Sequence, residues 1–408
     1  MDWERQYRKQ CYDPIMHRYM EGFLENVADH AKEVHEELTG QADAFFQSLC
    51  LLQEHKKLGP VQTISISFPY TLLEIGTPGL LFEVYPGTVP FLEPAEVSQE
   101  CPVSWLFSSW EDMLHELKAE AGKQGLGAII RMPYIRSQAW GGARLLLSMV
   151  SVIVKYHLYG LEEMKSFQEL EKAEECSLSF GEYMDWQRPI WKQRSEVDIF
   201  FCEKETDLRF RVFQKVWYEE KEFKNLTLDD CRFEECMFQN CHFIGTSFRD
   251  ARLSGCMFRE CTFDGVLLNG ARFDGCSLEQ VHMKGIHTNS FSEDRTAIGE
   301  MQGMTEWISC FLSEVTIAHS DFSASYFRKG KRRAFMRYFE LITDPEVSNP
   351  IQLQKIDRQQ YKNGLSEEEF QAVPELKVAY FQNNPQTEIL DVLEAPAFLI
   401  SDEVKRVF

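Results

Sequence analysis

A chain of 408 residues with a formal charge of −21 and 44% hydrophobic residues is long enough for two or three globular domains, and its acidity argues against a nucleic-acid partner, which needs a concentrated basic surface. The longest apolar run, Leu145 to Val154, is about half a membrane span, and no apolar stretch follows the charged opening MDWERQYRKQ, so neither a membrane nor an export route is expected. On that reading the 12 cysteines are reduced thiols of a cytoplasmic protein, not a disulfide framework.

From Asp13 to about Lys57, Ile15, Tyr19, Phe23, Val27, Ala31, Val34 and Leu38 recur every three or four positions and predict an amphipathic helix. A second helix is expected from Ala42 to Lys57, separated from the first at Gly40. VQTISISFPYTLLEIG alternates polar and apolar residues, and GLLFEVYPG follows a Thr77-Pro78-Gly79 turn, so the two predict a hairpin. Helices are predicted over Ser104 to Lys123 and from about Ala139 to His157. Residues 1–215 thus read as an α+β domain of unknown function with its own core. VDIFFCE and DLRFRVFQKVWYEE read as strands leading out of it.

No nucleophile elbow, Walker loop, zincin pair or dinucleotide fingerprint occurs in the sequence. His30, Glu33 and Glu37 share one face of the first predicted helix, a spacing expected of a solvated surface. The glycines of WGGAR, Trp140 to Arg144, and of GTPG, which includes Thr77, are expected in turns. No catalytic residue, metal ligand or cofactor is assigned.

A different period begins at Leu226. Large residues stand at every fifth position: Leu228, Phe233, Phe238, Phe243, Phe248, Leu253, Phe258, Phe263, Leu268, Phe273, Leu278 and Met283. Two positions before each lie small or apolar residues, among them Cys231, Cys236, Cys241, Cys256, Cys261 and Cys276. Most of the remaining positions are polar. Neither a lone sheet nor an amphipathic helix holds a five-residue register, so a solenoid is the alternative, with two inward and three outward positions per side. Gly245, Gly255, Gly265, Gly270, Gly275 and Gly285 close six units, where a corner of positive φ favours glycine. The pattern resembles the pentapeptide-repeat family, with C/A/T-x-F/L-x-x in place of its usual unit. The resemblance implies a right-handed quadrilateral parallel β-helix of twenty residues per coil. It departs from the family where Arg232, Met237, His242, Arg252 and Met257 replace the usual Asp or Asn.

Twenty-residue coils stack Cys236, Cys256 and Cys276 about 4.8 Å apart. Parallel stacking gives poor disulfide geometry, and no CxxC or histidine pair closes a metal site, so packing is the expected role. Arg232, Arg252 and Arg272 stack on the outside and form a candidate partner-binding stripe beside Glu234, Ser254 and Asp274. SEVTIAHSDFSASYF returns to the period, so the β-helix is expected over 216–327 with a loop or helix inserted at about 288–312. Residues 328–408 open on RKGKRRAFMRYFELI, whose Phe335, Met336, Phe339 and Ile342 predict a helical cap. The end, DVLEAPAFLISDEVKRVF, resembles the opening of some bacterial toxin-immunity domains.

Charge is unevenly spread: residues 1–220 hold 22 basic against 35 acidic side chains, 221–290 hold 8 against 10, and 291–408 hold 13 against 19. A DNA mimic of the kind found among topoisomerase-binding relatives needs a long acidic rod, and a short, nearly neutral repeat does not supply one. The expected function is a non-catalytic protein–protein interaction scaffold or adaptor of a bacterial cell, such as an effector- or toxin-associated chaperone or an immunity-type protein. Its expected partner is another protein, with homodimerisation as a further outcome. An enzyme with its catalytic centre in the N-terminal domain is the alternative.

Overall fold

The computed structural model describes residues 3–203 and 206–288, together with short strands between 305 and 380. The chain divides into two compact units, one built on Met1–Gln193 and one beginning at Arg194.

In the first unit, α1 (Trp3–Tyr7) passes through a π-turn at Arg8–Tyr12 into α2 (Asp13–Asp29), and α3 spans Ala31–Glu54. The break falls at His30, not at the expected Gly40. His30 leaves the helical region at φ −108°, and its Nδ1 lies 2.9 Å from the Asn26 carbonyl at the end of α2. Gly40 stays inside α3 with open space where a Cβ would sit, so nothing there stops the helix. Five strands follow, namely β1 (Val61–Phe68), β2 (Gly79–Tyr85), β3 (Val97–Pro102), β4 (Lys172–Glu182) and β5 (Gln187–Lys192). They form one sheet in the order β3-β2-β1-β4-β5, and the predicted β1–β2 hairpin is present. Only β1 and β4 run parallel, because the connection between them carries helices α5 (Trp110–Lys123) and α6 (Met132–His157). Helix α5 starts later than the expected Ser104, since Phe107 and Ser109 take positive φ. Helix α6 starts earlier than Ala139, with Pro133 in its first turn, where the missing N–H costs nothing.

One sheet face is apolar. Phe82 packs on Phe45 with ring centroids 5.3 Å apart, and Phe68 packs on Phe107 at 4.8 Å. Met132–Glu163 has the length and hydropathy of a membrane span, but 76% of its apolar window is buried inside the protein, as expected of a core helix.

The second unit is a four-sided parallel β-solenoid. One face stacks Val212–Gln214, Arg232–Glu234, Arg252–Ser254, Arg272–Asp274, Thr305–Ile308 and Ser325–Arg328. The next stacks Trp217–Glu219, Met237–Gln239, Met257–Arg259, Ser277–Glu279 and Phe311–Ser313. A third runs from Glu222–Lys224 through His242–Ile244, Thr262–Asp264 and His282–Lys284 to Thr316–Ala318. Single bridges, Thr227 to Ser247 to Leu267 to His287, make the fourth. Each middle residue points inward and its two neighbours point outward. The corners from Lys215 to Gly285 all take the left-handed conformation, with φ between 51° and 70°, so the expected glycine positions are indeed the turns.

Three boundaries differ from expectation. The solenoid begins at Val212, because Phe213, Tyr218 and Phe223 already occupy the inward large position although Arg211 and Lys221 stand where small residues were sought. VDIFFCE is not a strand. Its Phe200 packs edge-on against Tyr218 and Phe223 at 5.8 and 5.0 Å, so the segment lies over the apolar end of the first coil. Finally, strand pairing resumes at Thr305, inside the expected insertion, and Trp307 stacks on Phe273 at 4.1 Å with its ring tilted by only 4°. The helical cap expected over 328–408 lies outside the described residues, apart from an antiparallel pair, Gln352–Lys355 with Lys377–Tyr380.

Candidate interaction surface

The interior of the solenoid is fully committed to packing. Phe233, Phe238, Phe243, Phe248, Phe258, Phe263 and Phe273 are buried, and so are Cys231, Cys236, Cys241, Cys256, Cys261 and Cys276. Phe238 lies between Tyr218 and Phe258 at 5.2 and 4.7 Å, stacked on both, while Phe223, Phe233 and Phe243 meet its edge.

The cysteines have a role that their spacing did not disclose. Where the small position holds a cysteine, its thiol donates to the carbonyl of the large residue one coil earlier. Cys236 Sγ reaches the Phe213 carbonyl at 3.2 Å, Cys256 the Phe233 carbonyl at 3.3 Å and Cys276 the Leu253 carbonyl at 3.1 Å. Thr246 does the same through its hydroxyl, 2.6 Å from the Phe223 carbonyl. Cys310 continues the column across a span of 37 residues where the regular coils span 23. Burial raises the pKa of the Cys231 and Cys276 thiols, which keeps them protonated and able to donate. We expect Cys256→Ala to lower the unfolding free energy by about 1–2 kcal/mol through lost packing and a lost donor. Cys256→Ser, which keeps a donor, should cost less. Urea titrations of the two variants check this order.

On the outer surface, the arginine stripe is brought together as the spacing implied, with Arg232, Arg252 and Arg272 in direct register. It also carries its own counter-charges. Arg272 lies 3.4 Å from Asp274 and 3.3 Å from Glu306, the residue next above it in the column. Part of the positive charge is therefore answered from within the face, and the stripe is less available to an outside anion than its column suggested.

The adjacent face carries a second column that sequence reading passed over. Trp217, Met237 and Met257 stand in register, followed by Ser277 and Phe311. Trp217 is 62% exposed and Met237 36% exposed. The signal was available as three large apolar residues at outward positions exactly one coil apart.

The polar motifs of the first unit are structural. His30 caps α2, while Glu37 accepts from the Ser104 amide at 2.9 Å and its hydroxyl at 2.8 Å, so the His30, Glu33 and Glu37 set is not assembled into a site. WGGAR is not a turn. It lies inside α6, where a Cβ on Gly142 would meet the Met16 sulfur at 2.6 Å. Arg144 is held by Glu182 at 3.0 Å and Asp185 at 2.8 Å.

The second sheet face buries Thr63, Ser65, Ser67 and Glu83. Gln187 Oε1 accepts from Ser65 and Ser179 at 3.1 and 3.0 Å, and the Glu83 carboxylate accepts from Tyr85 at 2.7 Å and Ser98 at 3.4 Å. Burial pushes the Glu83 carboxyl above its ordinary pKa, and the two hydroxyl donors offset this only in part. A raised carboxyl pKa means that the native state holds the proton more tightly than the unfolded chain. Stability therefore falls as pH rises from the unfolded value through the folded one. Glu83→Gln should remove that slope, gaining on the wild type at neutral pH relative to acid pH. Thermal melts across this range check it.

These features define the class of the second unit as a parallel β-solenoid with a five-residue repeat. Residues 212–288 match the family described as Pentapeptide repeat region, and this part of the chain is a pentapeptide-repeat solenoid. Among solved structures, the chain is similar to a pentapeptide repeat protein from the Arabidopsis thaliana thylakoid lumen, at 16% identity and TM-score 0.20, covering 30% of this chain and 70% of that one. It is similar to HetL from the cyanobacterium Nostoc sp. strain PCC 7120, a protein involved in heterocyst differentiation regulation, at 12% identity and TM-score 0.13, covering 28% and 59%. A third likeness, at 12% identity and TM-score 0.13 and covering 28% and 79%, is to QnrB1, a plasmid-mediated fluoroquinolone resistance protein. No curated protein matches the chain.

Proposed function

We propose that the chain is a non-catalytic protein-interaction scaffold, and that its solenoid is the element presented to a protein partner in the cytoplasm of a bacterial cell. The observation that supports this reading is the division of labour in the repeat. Inward positions are spent on stacked rings and thiol-to-carbonyl bonds, while outward positions form straight columns of side chains held at strand spacing. Such columns are pre-organised, so a partner ordered against them loses little of its binding energy to fixing the scaffold. A role as an effector- or toxin-associated adaptor, or as an immunity-type protein, is the finer form of the proposal.

Affinity capture with the intact tagged chain from its native cells, read by mass spectrometry, should return a protein in stoichiometric amount. A bait that is folded by circular dichroism and returns no such protein overturns the scaffold reading.

A further inference from the structure

The column of Trp217, Met237 and Met257 differs from every other outward column of the solenoid in being apolar over three successive coils. The inward faces of these strands are already filled, since Tyr218, Phe238 and Phe258 beneath them are buried. The exposed ridge therefore adds nothing to the core, and an indole 62% exposed to water is costly unless something covers it.

Two features of the ridge indicate what covers it. The first is its pitch. Successive rungs of a parallel sheet are about 4.8 Å apart. An extended strand laid along the solenoid axis repeats same-side residues every ~6.6 Å and falls out of step within two rungs. An α-helix laid along the axis repeats its apolar stripe every three or four residues, about 4.5–6 Å, and stays in step along the ridge. The second feature is charge. The ridge is bordered by Glu219 and Glu220 on the first coil, Glu235 on the second, Glu260 on the third and Glu279 on the fourth. Of the nearby cations, Lys215 pairs with Glu235 at 3.6 Å and Arg259 with Glu279 at 3.0 Å, while the Lys221 ammonium lies over the Phe200 ring at 5.4 Å. Glu219, Glu220 and Glu260 have no ion-pair partner among the described residues.

We infer that this face is a docking site for an amphipathic helix of another protein, with an apolar stripe flanked by lysine or arginine. The inference rests on the scaffold reading above and specifies its partner. The helix axis runs along the solenoid axis. Its large apolar side chains sit between Trp217, Met237 and Met257, and its basic side chains meet Glu219, Glu220 and Glu260. Trp217 is the anchor, being the largest and most exposed of the three.

The probe is a synthetic helix of about eighteen residues, built from leucine at helical spacing with lysine elsewhere, beside an otherwise identical peptide with glutamate for lysine. Binding to the intact chain is measured by fluorescence anisotropy at about 150 mM salt, where long-range attraction is screened. The lysine peptide should bind, and the glutamate peptide should not. Trp217→Ser combined with Met237→Ser should weaken binding at least about tenfold, with the melting temperature of these exposed-site variants unchanged. Equal binding by wild type and variant overturns the inference, because it leaves only general attraction to an acidic protein. Preference for the glutamate peptide overturns it as well. So does a concentration-dependent dimer in sedimentation that Trp217→Ser abolishes, which makes a second copy the occupant. The outcomes separate this inference from the scaffold reading. A captured partner whose capture is indifferent to the two substitutions leaves the scaffold standing and removes the ridge. Peptide binding without any captured partner does the reverse.

Discussion

Phe238→Ala is expected to destabilise the solenoid by about 3–5 kcal/mol, the range for emptying a phenylalanine site in a close-packed core. Relaxation cannot recover much of this. Tyr218 and Phe258 lie on the two flat sides of the ring and Phe223, Phe233 and Phe243 at its edge; the strands of Phe233, Phe243 and Phe258 are pinned by ladder bonds above and below, and those of Tyr218 and Phe223, on the first coil, by the strand above. The cavity therefore stays open. Phe238→Leu, which keeps most of the volume, should cost less than half as much. Denaturant titration of the two variants distinguishes loss of volume from loss of ring stacking. A cost for the alanine variant below about 1 kcal/mol would show that the coils close up around the gap, contrary to their rigid register.

Gly181→Ala should be as damaging for a different reason. Gly181 lies on β4 beside the β4–β5 turn, and a Cβ there would sit 2.0 Å from the Trp186 carbonyl oxygen and 3.0 Å from the Gln187 Cα. Both contacts are backbone atoms, so no side-chain rotation relieves them. The hairpin must open, weakening the bond from the Glu182 amide to the Trp186 carbonyl and displacing Gln187 from Ser65 and Ser179. A loss of about 3 kcal/mol or more follows. Gly59→Ala, where a Cβ meets nothing within 4 Å, is the control and should change stability by less than about 0.5 kcal/mol. Similar melting temperatures for the two variants would show that the approach at Gly181 is not tight in solution.

The solenoid was legible in the sequence because its period is strict and its inward positions tolerate few residue types. What escaped were the places where the rule is relaxed without breaking the fold. Arg211 occupies a small-residue position by turning its guanidinium to the Ser195 and Asp207 carbonyls at the edge of the first coil, so the register starts before the pattern does. The return at Thr305 was hidden by the longer chain between coils, which shifts every residue out of the twenty-residue count. Helix boundaries in the first unit failed at His30 and Phe107, where a break is set by local backbone conformation and not by apolar spacing. The apolar ridge lay in plain view but stood at outward positions, and a search for inward residues discards those.

The left-handed corners give the solenoid something like a reading frame. A single added or deleted residue within a side would move a strand residue into a left-handed corner, and would turn every later ring from the inside to the outside until the count recovered. A longer excursion that leaves and rejoins at a corner does neither. The sequence between Thr288 and Thr305 is longer than the regular spacing, and Arg272 still pairs with Glu306 in the same column afterwards. The corners are thus the sites where this molecule can accept new peptide, whether by evolution or by design, without losing the order of its faces.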